Sequence, residues 1–215
     1  MLGLTAVPQQ LSSLTALTSL DLADNRELAG GWQHLLPLAK LQDLHLANCY
    51  VTAVPEQLSA LTALTRLDLY NNEHLASGWQ HLLPLTQLCD LDLRFCSLIT
   101  VPAQLSALTA LTRLTFSYNK ELVGGWQHLL PLSRLQDLDL SWCCLMAVPA
   151  QVSAMQALTS LDLSGSYWLE KGWQHLLPLT QLRHLNLEGV SLPEGVAPPE
   201  LAALPQLCVA LRSPV

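Results

Sequence analysis

The chain has 215 residues and a mass of 23.6 kDa; half of it is apolar, 13% is charged and 6% is aromatic. Its 54 leucines exclude a disordered chain, and no run approaches the roughly 18 consecutive apolar residues of a membrane-spanning helix. A net charge of −7 and a pI near 5.3 argue against nucleic acid as a partner.

In chain order, Met1–Pro8 has neither a basic stretch nor an apolar core and does not read as a secretory signal. Leu4 to Leu14 match only the back half of a longer unit, so residues 1–16 are read as a partial unit. Leu17 opens the pattern L-x-x-L-x-L. It returns at Leu41, Leu64, Leu88, Leu111, Leu135, Leu158 and Leu182, with steps alternating between 24 and 23 residues, and Phe116 replaces the last leucine once. Residues 17–203 therefore hold eight units, and 204–215 form a degenerate ninth around Leu204, Leu207 and Val209. The whole of 1–215 reads as one solenoid domain.

Each unit opens on a predicted strand. In Leu64–Leu69, apolar Leu67 and Leu69 alternate with polar Arg66 and Asp68, the period of a strand buried on one face. The pattern returns too soon for a long crossover helix, so successive strands stack as a parallel ladder. One unit cannot bury its apolar face alone; stacked neighbours make a continuous core. The residue closing the strand is Asn25, Cys49, Asn72, Cys96, Asn119 or Cys143. An inward amide there satisfies backbone groups that the bend leaves without ladder partners. A thiol does so weakly but tolerates burial, so Cys49, Cys96 and Cys143 read as core residues.

Two kinds of back half follow in alternation. Gly-Trp-Gln-His-Leu-Leu-Pro-Leu begins at Gly31, Gly78, Gly125 and Gly172, 47 residues apart. About one and a half helical turns are expected there, with Trp32, Leu35 and Leu36 on one face. Gln33 and His34 point outward, and Pro37 disfavours helix at Leu36. In the other units Pro55 suits a first helical position, with Leu58 and Leu61 turned inward. The chain closes on a proline-rich stretch, Pro193 to Pro205, which reads as a natural end. Its start, with Leu2, Leu4 and Val7 inside a unit, predicts either a truncated reading frame or an N-terminal edge that self-associates.

L-x-x-L-x-L-x-x-[N/C] at this spacing resembles the leucine-rich-repeat family over roughly residues 4–210. The V-P-x-x-L units, as in Val54–Leu58, Val101–Leu105 and Val148–Val152, are similar to the intracellular typical, Ras-group and plant disease-resistance-like repeats. Their alternation with G-W-Q-H-L-L-P-L resembles repeat proteins of green algae. The resemblance implies an α/β horseshoe solenoid, with a parallel β-sheet on the concave face and short helices or 3-10 turns on the convex face. It also implies a role in protein interaction.

Signatures of catalysis are absent: there is no Walker loop, G-x-S-x-G, H-E-x-x-H or C-x-x-C. The chain is therefore read as non-enzymatic, with no cofactor and no metal. His34, His81, His128 and His175 form a column, but copies about 10 Å apart on alternate units cannot share an ion. The six cysteines make no disulfide framework and none of the six asparagines lies in a glycosylation sequon, which favours a cytoplasmic, intracellular setting.

The outward positions of each strand are the third, fifth and seventh of the repeat, with the eighth at the rim. Third positions alternate acid and base from Asp43 through Arg66, Asp90 and Arg113 to Asp137, an expected ladder of cross-strand ion pairs. Asp68, Asp92 and Asp139 belong to an acidic stripe at the fifth position. It reads either as a solvated face or as the complement of a basic partner segment. Phe95, Tyr118 and Trp142 occupy three consecutive eighth positions, with Tyr70 and Arg94 at seventh positions beside them and Tyr167 and Trp168 extending the region. The leucine pattern does not need these aromatics, and such residues anchor interfaces. The alternative is partial burial against the next loop.

Tyr70, Arg94, Phe95, Tyr118, Trp142, Asp68, Asp92 and Asp139 are thus the expected binding surface for a protein or peptide partner with basic segments. A receptor-type ectodomain and a regulatory arm of a larger protein are the alternative settings.

Overall fold

The computed structural model describes residues 3–192, 198–204 and 206–211. Leu2, most of the proline-rich stretch before Pro198, Pro205 and the last four residues lie outside the described residues.

Among the described residues, nine strands run parallel in chain order in one open sheet: β1 (Ser19–Asp21), β2 (Asp43–His45), β3 (Arg66–Asp68), β4 (Asp90–Asp92), β5 (Arg113–Thr115), β6 (Asp137–Asp139), β7 (Ser160–Asp162), β8 (His184–Asn186) and β9 (Cys208–Ala210). The register places leucine on leucine, as with Leu67 against both Leu44 and Leu91. The first, fourth and sixth residues of each central unit are fully buried, among them Leu64, Leu67, Leu69 and Phe116. Each strand contributes only three residues to the sheet, so stability rests on this stacked core. Backbone pairing continues past the strands: Phe95 N–H donates to Ser117 O (3.1 Å), Tyr118 N–H to Ser141 O (3.0 Å) and Trp142 N–H to Ser164 O (2.7 Å). The eighth residue of each unit from Asp24 to Gly165 is thereby held in line with its neighbours. The seventh is less outward than its alternation suggests, with Ser117, Ser141 and Ser164 buried.

Opposite the sheet, the described turns are 3-10 helices of two kinds, such as Trp79–Leu82 and Ala103–Ala107. Leu58 and Leu61 are buried as expected, but Leu36 is 47% exposed, unlike Leu35. A 3-10 turn has three residues per turn, which aligns Trp32, Leu35 and Leu38 and rotates Leu36 outward. The expected effect of Pro37 also fails locally. Leu36 keeps helical angles (φ −53°, ψ −37°), and Leu38 N–H closes onto Leu35 O at 2.9 Å. Full burial of Leu35 and Leu38 outweighs the pre-proline preference.

The structural period is the 47-residue pair. Isolated bridges join Ala53 to Ser77, Thr100 to Gly124 and Ala147 to Lys171, each tying a V-P unit to the G-W unit after it. Gly125, at φ +80°, lies against the Val101 backbone with no room for a side chain. The strand-closing residues follow the same pairing. Asn119 accepts from Cys96 N–H (3.1 Å) and Leu98 N–H (2.9 Å) of the preceding unit and donates to Leu93 O (2.9 Å) and to Phe116 O. Cys96 Sγ only donates, to Leu69 O at 3.2 Å and more weakly to Arg94 O at 3.5 Å. One asparagine therefore serves two units, which is why a thiol suffices in between. Burial pushes the Cys96 and Cys143 thiols up to about 12 and the Cys49 thiol up to about 11, so none is a ready thiolate.

Candidate functional site

Every eighth residue from Asp24 to Gly189 has a positive φ. Glycine, asparagine and aspartate tolerate this conformation and occupy it at both ends: Asp24, Asn48 and Asn71 before, Gly165 and Gly189 after. The two asparagines form an amide ladder, with Asn48 Nδ2 donating to Asp24 Oδ1 (2.9 Å) and Asn71 Nδ2 to Asn48 Oδ1 (2.6 Å). Between these two ends stand Phe95 (φ 53°), Tyr118 (φ 62°) and Trp142 (φ 56°). A bulky side chain costs about 1–2 kcal/mol in this region, so local backbone preference does not explain the three rings.

What offsets the cost is their stacking. Phe95 and Tyr118 lie 4.2 Å apart at 12°, and Tyr118 and Trp142 lie 5.5 Å apart at 7°. Tyr70 closes one end edge-on against Phe95 (5.5 Å, 77°), and Tyr167 closes the other against Trp142 (5.6 Å, 80°). Such pairs contribute about 0.5–1.5 kcal/mol each beyond burial. Gly165 is required there, since a Cβ would fall 2.5 Å from the Trp142 indole. The ring faces are thus spent on one another. The half-buried stack leaves ring edges rather than open faces to solvent.

The acidic stripe has a structural duty that the sequence reading missed. Each fifth-position carboxylate accepts the backbone N–H two residues on: Tyr70 N–H donates to Asp68 Oδ1 (2.9 Å), Arg94 N–H to Asp92 (3.0 Å) and Ser141 N–H to Asp139 (2.9 Å). This side-chain turn caps the strand end. The aspartate recurring as the last residue of β1, β3, β4, β6 and β7 was the signal that could have revealed it. Second oxygens are partly engaged as well. His45 sits between Asp43 (3.1 Å) and Asp68 (3.3 Å). Arg94, expected to reach for a partner, is folded back: its Nε donates to Asp92 Oδ2 (2.8 Å) while the guanidinium lies 5.1 Å from the Tyr70 ring centre.

The third-position ladder forms from Arg66 onward, with Arg66–Asp90 at 3.8 Å, Arg113–Asp90 at 4.0 Å and Arg113–Asp137 at 3.2 Å, whereas Asp43 pairs with His45 instead of Arg66; exposed pairs of this kind contribute little. Over the third, fifth and seventh positions of β1–β8, nine carboxylates face three arginines, so this face carries −6 of the net −7. Asp139 lies directly opposite Asp162 in the register. Burial raises its pKa above the ordinary 3.8, against the lowering effect of Ser141, and the Asp162 charge adds to the rise.

A raised folded-state pKa stabilises the fold while the group is protonated. That contribution is complete below 3.8 and is lost as pH climbs through the raised value. Asp139→Asn removes the ionised cost but keeps a carbonyl for Ser141 N–H, as Asn186 does for Glu188 N–H (3.0 Å). The variant is expected to melt a few degrees above the wild type at pH 7 and level with it near pH 3. Thermal denaturation across that range checks this, and a variant less stable at pH 7 contradicts it.

Sequence reasoning also missed Tyr50, an exposed ring with Arg26 5.5 Å above it. Trp32, Trp79 and Trp126 pack half-buried on the core and Trp173 is buried. No described helix is long and apolar enough to cross a membrane.

No protein-family model matches the chain, and no curated protein matches it in sequence. Solved structures do. The leucine-rich-repeat domain of the type III effector XopL superposes with a TM-score of 0.78 at 22% identity, covering 97% of this chain and 73% of that one. A leucine-rich-repeat protein of Leptospira interrogans gives 0.61 at 22%, and internalin C2 of Listeria monocytogenes gives 0.56 at 20%. They cover 97% and 98% of this chain; it spans 63% of the Leptospira protein and 77% of the internalin. With its 23–24-residue units, continuous parallel sheet and inward asparagines on alternate units, the chain has the leucine-rich-repeat fold.

Proposed function

We propose that the chain is a non-enzymatic protein-interaction module whose partner docks on the sheet side, anchored on the edges of the Tyr70–Phe95–Tyr118–Trp142 ladder. The observation that carries this reading is the strained backbone under the three stacked rings: a position suited to asparagine or glycine holds the bulkiest side chains available. Strain retained against local preference points to a role outside the scaffold. The ladder spans five rungs, from Tyr70 to Tyr167, and lies beside a face of charge −6. A polypeptide with an apolar stripe and basic residues fits that combination, through Asp68, Asp92 and Asp139 at long range rather than by direct pairing. An intracellular setting suits its exposed thiols, Cys144 and Cys208.

The scaffold itself supplies the control. Phe95→Asn, Tyr118→Asn and Trp142→Asn together install the residue that Asn48 and Asn71 carry in the same backbone conformation. This triple variant is expected to keep its melting temperature within a few degrees while losing about 100-fold in affinity for partners captured by the wild type, as hot-spot loss implies. Side-by-side capture followed by titration of the recovered partner reads this. Undiminished binding by a folded triple variant removes the ladder from the interface.

A further inference from the structure

The 47-residue pairs are closed within and open between. Bridges such as Ala53–Ser77 and Thr100–Gly124 tie each V-P unit to the G-W unit after it, but among the described residues none ties a G-W unit to the next V-P unit. A groove opens at that junction. One of about 690 Å³ lies between the first and second pairs, and one of about 670 Å³ between the second and third. Both share a frame: Trp32 or Trp79 from one side, Pro55 or Pro102 from the other, and His81 or His128 from a later turn. Within that frame the lining varies, Tyr50 against Ser97 and Thr52 against Ile99. None of these residues belongs to the aromatic ladder.

The spacing and chemistry of the grooves select an occupant. Units stack at about 4.8 Å, so grooves one pair apart repeat at about 10 Å. A polyproline-II chain rises about 3.1 Å per residue and presents the same face every three residues, or about 9.3 Å. An extended strand repeats its face every ~6.6 Å and falls out of step. Indole-walled, proline-lined grooves hold polyproline-II ligands well, because the ligand has little conformational entropy left to lose. Charge supplies the rest. Glu27 and Glu56 line the first groove and Glu73 the second, while Arg26, the cation at the first, lies over the Tyr50 ring.

We propose that these grooves are successive docking slots for one basic, proline-rich polyproline-II segment lying along the solenoid axis, one ligand turn per 47-residue pair.

Fluorescence anisotropy tests it on the full chain with a labelled 15-residue peptide of repeating Arg-Pro-Pro. A repeating Arg-Gly-Gly peptide of equal length and charge is the control. The proline peptide should bind about tenfold tighter than the glycine peptide. Trp79→Leu should weaken it about tenfold. Tyr50→Ser, which installs the residue the second groove already tolerates at Ser97, should weaken it about threefold and keeps the test valid should Trp79→Leu unfold. The triple asparagine variant of the ladder should bind the peptide as the wild type does, so failure here and failure of the ladder reading are separate results. Equal affinity for both peptides, absence of binding, unchanged affinity in folded Trp79→Leu and Tyr50→Ser, or loss of binding in the ladder variant each overturns the proposal.

Discussion

Gly125→Ala is expected to destabilise the fold by about 2–5 kcal/mol, the sum of left-handed strain and overpacking. Gly125 sits at φ +80°, and an added Cβ would lie 2.6 Å from Val101 O and 2.7 Å from Val101 N. The obstruction is backbone, and it is tied down: Val101 N–H donates to Gly124 O at 2.9 Å and its side chain is buried. Relief requires breaking the bridge that closes the third pair. The neighbouring Gly124→Ala is the control, because its only close atom is Thr100 Cγ2 at 3.9 Å and its φ is not in the left-handed region. Urea denaturation should show a large midpoint shift for Gly125→Ala and almost none for Gly124→Ala. Similar mild effects in both would contradict the close approach of paired units.

Asn119→Ala is expected to cost about 4 kcal/mol, from several buried backbone groups orphaned at about 1–3 kcal/mol each with partial relaxation. Asn119 is fully buried, and its amide alone meets Cys96 N–H, Leu98 N–H and Leu93 O across the unit boundary. Cys96→Ala, removing one weak donor to Leu69 O, should cost about 1 kcal/mol. The asymmetry between two residues at the same position of successive repeats is the informative result. Equilibrium unfolding measures it, and hydrogen exchange at the Cys96 and Leu98 amides should accelerate only in Asn119→Ala. Equal costs for the two would remove the division of labour between asparagine and thiol.

Much of the fold was legible from period alone. Leu67 and Leu69 alternate with Arg66 and Asp68, and the structure buries the first two and turns the others toward the sheet face. Leu36 was misread because its neighbours fit a 3.6-residue period as well as a 3.0-residue one; only the turn's hydrogen bonding decides between them. The ladder residues were legible as departures from the repeat. Their stacking was not, because it depends on the φ of Phe95, Tyr118 and Trp142 and on the distance between units. The mutual engagement of Arg94 and Asp92 was hidden for a related reason. Two residues apart at a strand end, they satisfy each other before any partner arrives, and composition cannot distinguish an engaged charge from a free one.

By itself, then, the sequence determined the order of units, the strand positions and the identity of the core. Every unit solves the same burial problem against a neighbour of its own kind, so one period suffices for the topology. Only the tertiary structure decided that two units form one closed pair with a groove beside it, that the aspartates cap their own strands, and that three rings share one stack. Each of these is set by backbone dihedrals and by the separation of neighbouring units, which no single repeat encodes.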